Sequence, residues 1–198
     1  MNARAFLGSP LSIATAIIIA GTIAADGHAA STDKDVAALY AAAAKENRVG
    51  IAIKTKPVDA RPAKAGEIIV TVIAGEGKET QSKPAESGDW VVRNRCPETG
   101  NEQYLVSAAK FPQRYEGPLS TADSDGWSAF QPRGSEMRYF IVEPSEGIFT
   151  FTAPWGEKMV AKPGDAMVQN PEDASDIYRV AAASFACTYE VIKAAPSR

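Results

Sequence analysis

The chain has 198 residues, 24 acidic and 21 basic, a formal charge of −3 and 45% hydrophobic residues. That length admits one domain or two small ones, and its interspersed charges form no Lys/Arg stripe, which argues against nucleic acid as a partner. Two cysteines and one histidine cannot assemble a common zinc shell, so no metal and no cofactor is expected.

In chain order, Arg4 precedes an apolar run from about Leu11 to Ala25, and the small residues Gly27, Ala29 and Ala30 follow. This is the basic, apolar and small-residue order of a secretory signal. Residues 1–30 are therefore read as a signal peptide cut after Ala29 or Ala30, carrying the only histidine, His28, away with it. The mature protein is expected in the periplasm or outside the cell. The apolar run is shorter than the roughly 20 residues a spanning helix needs, so no stable membrane span is expected after cleavage, an uncleaved anchor being the alternative.

Residues 31–47 are Ala-rich, and Val36, Leu39, Tyr40 and Ala43 recur at i, i+3, i+4 and i+7. That spacing puts them on one face of a helix, with Ser31 or Thr32 as its cap.

The remainder reads as two diverged copies of one module. Gly88-Asp89-Trp90-Val91-Val92-Arg93-Asn94 matches Gly164-Asp165-Ala166-Met167-Val168-Gln169-Asn170. Further on, Tyr104 faces Tyr178, Phe111 faces Phe185, and Tyr115-Glu116 faces Tyr189-Glu190. Upstream, Ile51-Ala52-Ile53 is set against Tyr139-Phe140-Ile141-Val142 more loosely. Copy one is thus residues 48–118 and copy two residues 136–196, joined by a linker, 119–135, that contains Trp127, Phe130 and Pro132. Each copy reads as short strands broken by turn residues, then a helical turn, then a closing strand. In copy two, alternation over residues 148–152, a turn at Pro154-Trp155-Gly156 and residues 158–161 predict a hairpin. Pro163-Gly164-Asp165 predicts a second turn. The expected fold class is α+β, mainly β: an N-terminal helix and two tandem small β-rich modules, each with one short helix.

At these residues the chain resembles the PGDYG-type proteins of bacteria and phages. Copy two carries the pattern as Gly156, Pro163-Gly164-Asp165, Tyr178, Phe185 and Thr188-Tyr189-Glu190. Copy one has Ser87 in place of the proline and Arg114 in place of Thr188. The resemblance implies a small β-rich module and supplies no activity, substrate or cofactor.

The candidate chemistry is sparse. Cys96 and Cys187 either bridge the two copies, as an oxidising compartment permits, or stay separate thiols. Asp89, Asp165, Glu116, Glu190, Tyr115 and Tyr189 occupy matched positions and are the candidate catalytic residues for acid–base work. A framework role is expected first, because turn aspartates bond backbone and closing-strand tyrosines pack. Without a histidine, Ser107 and Ser184 cannot belong to a Ser-His-Asp hydrolase. Gly75-Glu76-Gly77 lacks the context of a phosphate loop and reads as a hairpin tip. Trp127, Trp155 and Phe130 are the candidate binding residues, since exposed rings can stack on a sugar face or an apolar partner. The expected function is a non-enzymatic exported binding or scaffold protein whose inter-module groove holds another protein or an envelope component. The alternative is a small envelope enzyme using paired carboxylates and tyrosines in that groove.

Overall fold

A computed structural model describes Met1 and residues 32–197. Apart from Met1, the segment read as a signal peptide, with His28, lies outside the described residues, as does Ser31, read as a cap of the first helix. The fold is mainly β. A two-residue strand β1 (Thr32–Asp33) precedes helix α1 (Val36–Lys45), and β2 (Gly50–Lys54), β3 (Val58–Pro62), β4 (Val70–Ile73), β5 (Gly77–Gln81), β6 (Trp90–Asn94) and β7 (Gln103–Val106) follow. A short helix α2 (Phe111–Arg114) runs straight into β8 (Tyr115–Glu116), and β9 (Ser128–Pro132) comes next. Then come β10 (Glu136–Ile141), β11 (Phe149–Thr152), β12 (Lys158–Ala161), β13 (Ala166–Asn170), β14 (Asp173–Val180), α3 (Ala182–Thr188) and β15 (Tyr189–Lys193). No described helix is long and apolar enough to cross a membrane.

Two five-stranded antiparallel sheets dominate, in the orders β14-β13-β10-β2-β15 and β7-β6-β3-β9-β8. The hairpin β4–β5 stands apart, and β11–β12 carries β1 in parallel on its edge. The fourth strand of each sheet comes from an unexpected place. Residues 50–54, read as the start of copy one, pair with β10 and β15, whereas β9, inside the segment read as a linker, pairs with β3 and β8. Residues 51–53, set against 139–142 in sequence, instead pair antiparallel with 136–138 of β10, and of 139–142 only Tyr139 lies opposite β2, at Gly50. Alternation marks a segment as a strand but does not name its partner.

Local chemistry explains the elements. Asp35 caps α1, accepting from the amides of Ala37 and Ala38 at 2.9 and 3.1 Å, while Thr32 belongs to β1. Tyr40 and Ala43, on the inward face, pack with Phe140, Phe149, Phe151 and Met159. In β11, Phe149 and Phe151 point inward and the threonines between and after them outward, the period-two pattern of a strand with one buried face.

A second core cluster joins Val58, Ala60, Val92, Phe111, Tyr115 and Phe130. Phe130 is 4% exposed and meets Trp90 and Phe111 edge-on at 5.5 and 5.1 Å. It is therefore a core residue, not the exposed binding ring expected from its place in a presumed linker. Because that segment is strand β9, alternation turns Phe130 into the sheet's buried face. Cys96 and Cys187 are joined in a disulfide that ties the loop after β6 to α3.

Candidate functional site

Asp89 and Asp165 occupy matched turns, and both are buried. Asp89 accepts from the amides of Glu86 and Ala108 at 2.9 and 3.0 Å. Asp165 accepts from those of Lys162 and Ala182 at 3.0 and 3.2 Å, and from Arg179 Nε at 2.7 Å. The preceding glycines, Gly88 and Gly164, have φ of 88° and 93°, a left-handed conformation that other residues enter at a cost. The aspartates thus close turns. Glu116 and Glu190 are exposed, each on a residue that follows an inward tyrosine.

The tyrosines are placed differently. Tyr104, Tyr115, Tyr178 and Tyr189 come together beside a cavity of about 430 Å³, within the usual size of small-molecule sites. Tyr104 and Tyr115 share a hydroxyl–hydroxyl hydrogen bond of 2.8 Å, and Tyr178 and Tyr189 one of 3.3 Å. Burial raises the pKa of all four, Tyr115 to about 12, so each phenol keeps its proton near neutral pH. Lys54, at the end of β2 and opposite Tyr189 on β15, donates to Tyr104 Oη at 2.7 Å and to Asn94 Oδ1 at 2.9 Å. Burial pulls its amine down to about 7, with the Arg114 charge acting in the same direction and Glu102 opposing.

The surrounding carboxylates are committed to protein partners. Glu102 accepts from Asn94 Nδ2 at 2.8 Å and from the Thr99 hydroxyl. Asp176 accepts from Arg114 at 2.9 Å and from Lys110 at 3.3 Å. Arg179 grips Asp165, Glu79 and Glu76, each at 2.7 Å, fastening the β4–β5 hairpin to β14. Burial, reinforced by the charges of Glu102 and Asp165 and opposed by Arg179, pushes the Glu79 carboxyl up to about 7. Two hydroxyls on the cavity lining, of Thr80 and Ser184, are buried and have no hydrogen-bond partner among the described residues.

The walls are largely apolar: Leu105, Val106, Met137, Pro154, Trp155 and Met159 contribute. Trp155 is 40% exposed and inclines toward the Tyr178 ring at 6.5 Å. Trp127 lies elsewhere, half-buried under the guanidinium groups of Arg61 and Arg93 at 5.1 and 4.3 Å. Of the sequence candidates, the cavity therefore gathers Asp89, Tyr115, Tyr189 and Trp155, and leaves out Asp165, Glu116, Glu190, Trp127 and Phe130.

Sequence reasoning passed over Lys54, Arg114, Tyr104 and Tyr178 as site residues. One signal was available: the tyrosines recur at the same 11-residue separation, 104/115 and 178/189. Lys54 carries no such mark. No family model, no curated protein and no solved structure matches the chain.

Proposed function

We propose that the chain is an exported, non-enzymatic binding protein of two tandem modules that holds a small envelope component in the tyrosine-lined cavity. The observation that carries this is the cavity itself: apolar walls, four convergent phenols and two orphaned hydroxyls, the composition of a ligand pocket.

The two-module reading is supported by strand orders that correspond place for place, and by the matched turns of Asp89 and Asp165 and the matched tyrosine pairs. Under this reading β2, from the start of copy one, joins the sheet of copy two, and β9, from the segment between the copies, takes the corresponding place in the sheet of copy one. Export is supported by the order of basic, apolar and small residues at the N-terminus and by a disulfide compatible with an oxidising compartment. An enzyme working through paired carboxylates finds less support, because Asp89, Asp165, Glu102 and Asp176 are all engaged by amides, side-chain donors or cations.

The test is a thermal-shift screen of small envelope metabolites against the protein and its Trp155→Ala variant. A true ligand at a hundred times its Kd stabilises by about 2.7 kcal/mol, a rise of several degrees, and the variant, lacking the ring at the cavity's edge, responds less. Equal shifts in both proteins, or none in either, refute the assignment.

A further inference from the structure

Six cations line the cavity: Lys54, Lys83, Lys110, Arg114, Arg133 and Arg179. Five have a carboxylate within reach: Glu86 at 2.7 Å for Lys83, Asp176 for Lys110 and Arg114, Glu116 at 3.8 Å for Arg133, and the trio around Arg179. Lys54 alone has none within 4.0 Å among the described residues. Its partners are a neutral amide oxygen and a neutral phenol. A buried cation without a counter-charge is expensive, and Lys54 lines the cavity, where a ligand's charge can reach it.

We infer that the cavity takes a small organic carboxylate with an apolar body, its head group seated against the Lys54 amine as the missing counter-charge, and that a proton enters with it. This rests on the binding function proposed above. One unpaired amine matches one negative charge, and the apolar walls match the remainder of such a molecule. Taking the roughly 30 Å³ share of a water as the space per heavy atom, the cavity holds about fourteen atoms, enough for a medium-chain or aromatic acid. The phenols supply directional donors: when one of Tyr178 and Tyr189 donates to the other, the second proton is left over for a carboxylate oxygen.

The groups around the amine are Glu102 just before β7, Tyr104 on β7, Arg114 at the end of α2, Tyr115 on β8, and Tyr178 and Tyr189 on β14 and β15. Arg114 and Asp176 compensate each other, and Glu102 is spent on Asn94 and Thr99. The incoming anion is thus the change that restores the proton to Lys54, whose amine is otherwise held at about 7.

The experiment is calorimetric titration of the intact chain with octanoate and with 1-octanol at about pH 8.5, where the solvated amine is charged and the cavity amine is not, in two buffers of different ionisation enthalpy. Octanoate is expected to bind about tenfold or more tightly than 1-octanol, taking up close to one proton per site. Lys54→Met is expected to abolish both the preference and the uptake while keeping the alcohol's affinity. Equal binding of acid and alcohol, or acid binding without proton uptake, overturns the inference and leaves the binding function standing. Failure of both probes to bind overturns the inference and the binding function together. Proton uptake by the unaltered protein is decisive even if the variant does not fold.

Discussion

Lys54→Met is expected to make the empty protein more stable, and more so in acid than in base. An amine that titrates at about 7 in the fold and at 10.5 when solvated costs the folded state up to about 5 kcal/mol at and below pH 6, at about 1.36 kcal/mol for each pH unit between those values. Between them the unfolded chain binds the proton more tightly, so the cost shrinks as pH rises, to about 2 kcal/mol at pH 9. Methionine removes the cost together with two hydrogen bonds, each worth about 1 kcal/mol. It orphans neither acceptor, since the Tyr104 hydroxyl lies 2.8 Å from that of Tyr115 and 3.3 Å from Asn94 Oδ1. The net expectation is a gain of up to about 3 kcal/mol at pH 6 that falls to about zero at pH 9. Urea unfolding of both proteins across that range, with unchanged m-values, measures it. A variant that is less stable at pH 6, or whose difference from the parent does not vary with pH, refutes the reasoning that Lys54 is a buried, unpaired amine.

Other consequences are testable in the same way. Replacing Cys96 and Cys187 together by serine removes a link across 91 residues and costs about 4 to 5 kcal/mol in chain entropy; a reducing agent should lower the melting temperature of the parent and leave the double variant unmoved. Asp165→Asn strips a buried charge from Arg179 and should cost about 3 kcal/mol or more. Asp89→Asn, whose parent accepts only from amides, should cost about 1 to 2 kcal/mol, and equal losses by denaturant titration would show that the Arg179 pair contributes nothing. Trp155→Ala, at an exposed ring, should leave stability within about 0.5 kcal/mol while weakening the binding of any cavity ligand.

Much of the framework was legible because turn chemistry is local. Gly-Asp before an apolar strand fixes the same amide-accepting turn at Asp89 and Asp165, and the hairpin and short helix of residues 148–188 follow from alternation and an Ala-rich run. Strand placement was not legible, because β2 and β9 resemble any half-buried strand and their partners lie far off in sequence. The same non-locality hid the site. Phe130 reads as available only where its segment is a linker, and Lys54 stands out only with β2 placed beside β15. The places where the sheets differ are informative: Pro132 on β9 lies opposite Tyr115, as Lys54 on β2 lies opposite Tyr189. Arg114 likewise precedes Tyr115 where Thr188 precedes Tyr189. Lys54 and Arg114 thus stand at positions where the two sheets differ.

The placement of β2 and β9 also determines how the molecule can come apart. The sheet β14-β13-β10-β2-β15 takes its inner strand β2 from ahead of the continuous stretch, residues 58–132, that builds the other large sheet, so it forms only when that stretch has brought β2 back beside β10 and β15, and unfolding should be a single event. A protease cut between β8 and β9 would not free two pieces. The fragments would stay paired through β2 and β9, with the Cys96–Cys187 bridge as a second clasp.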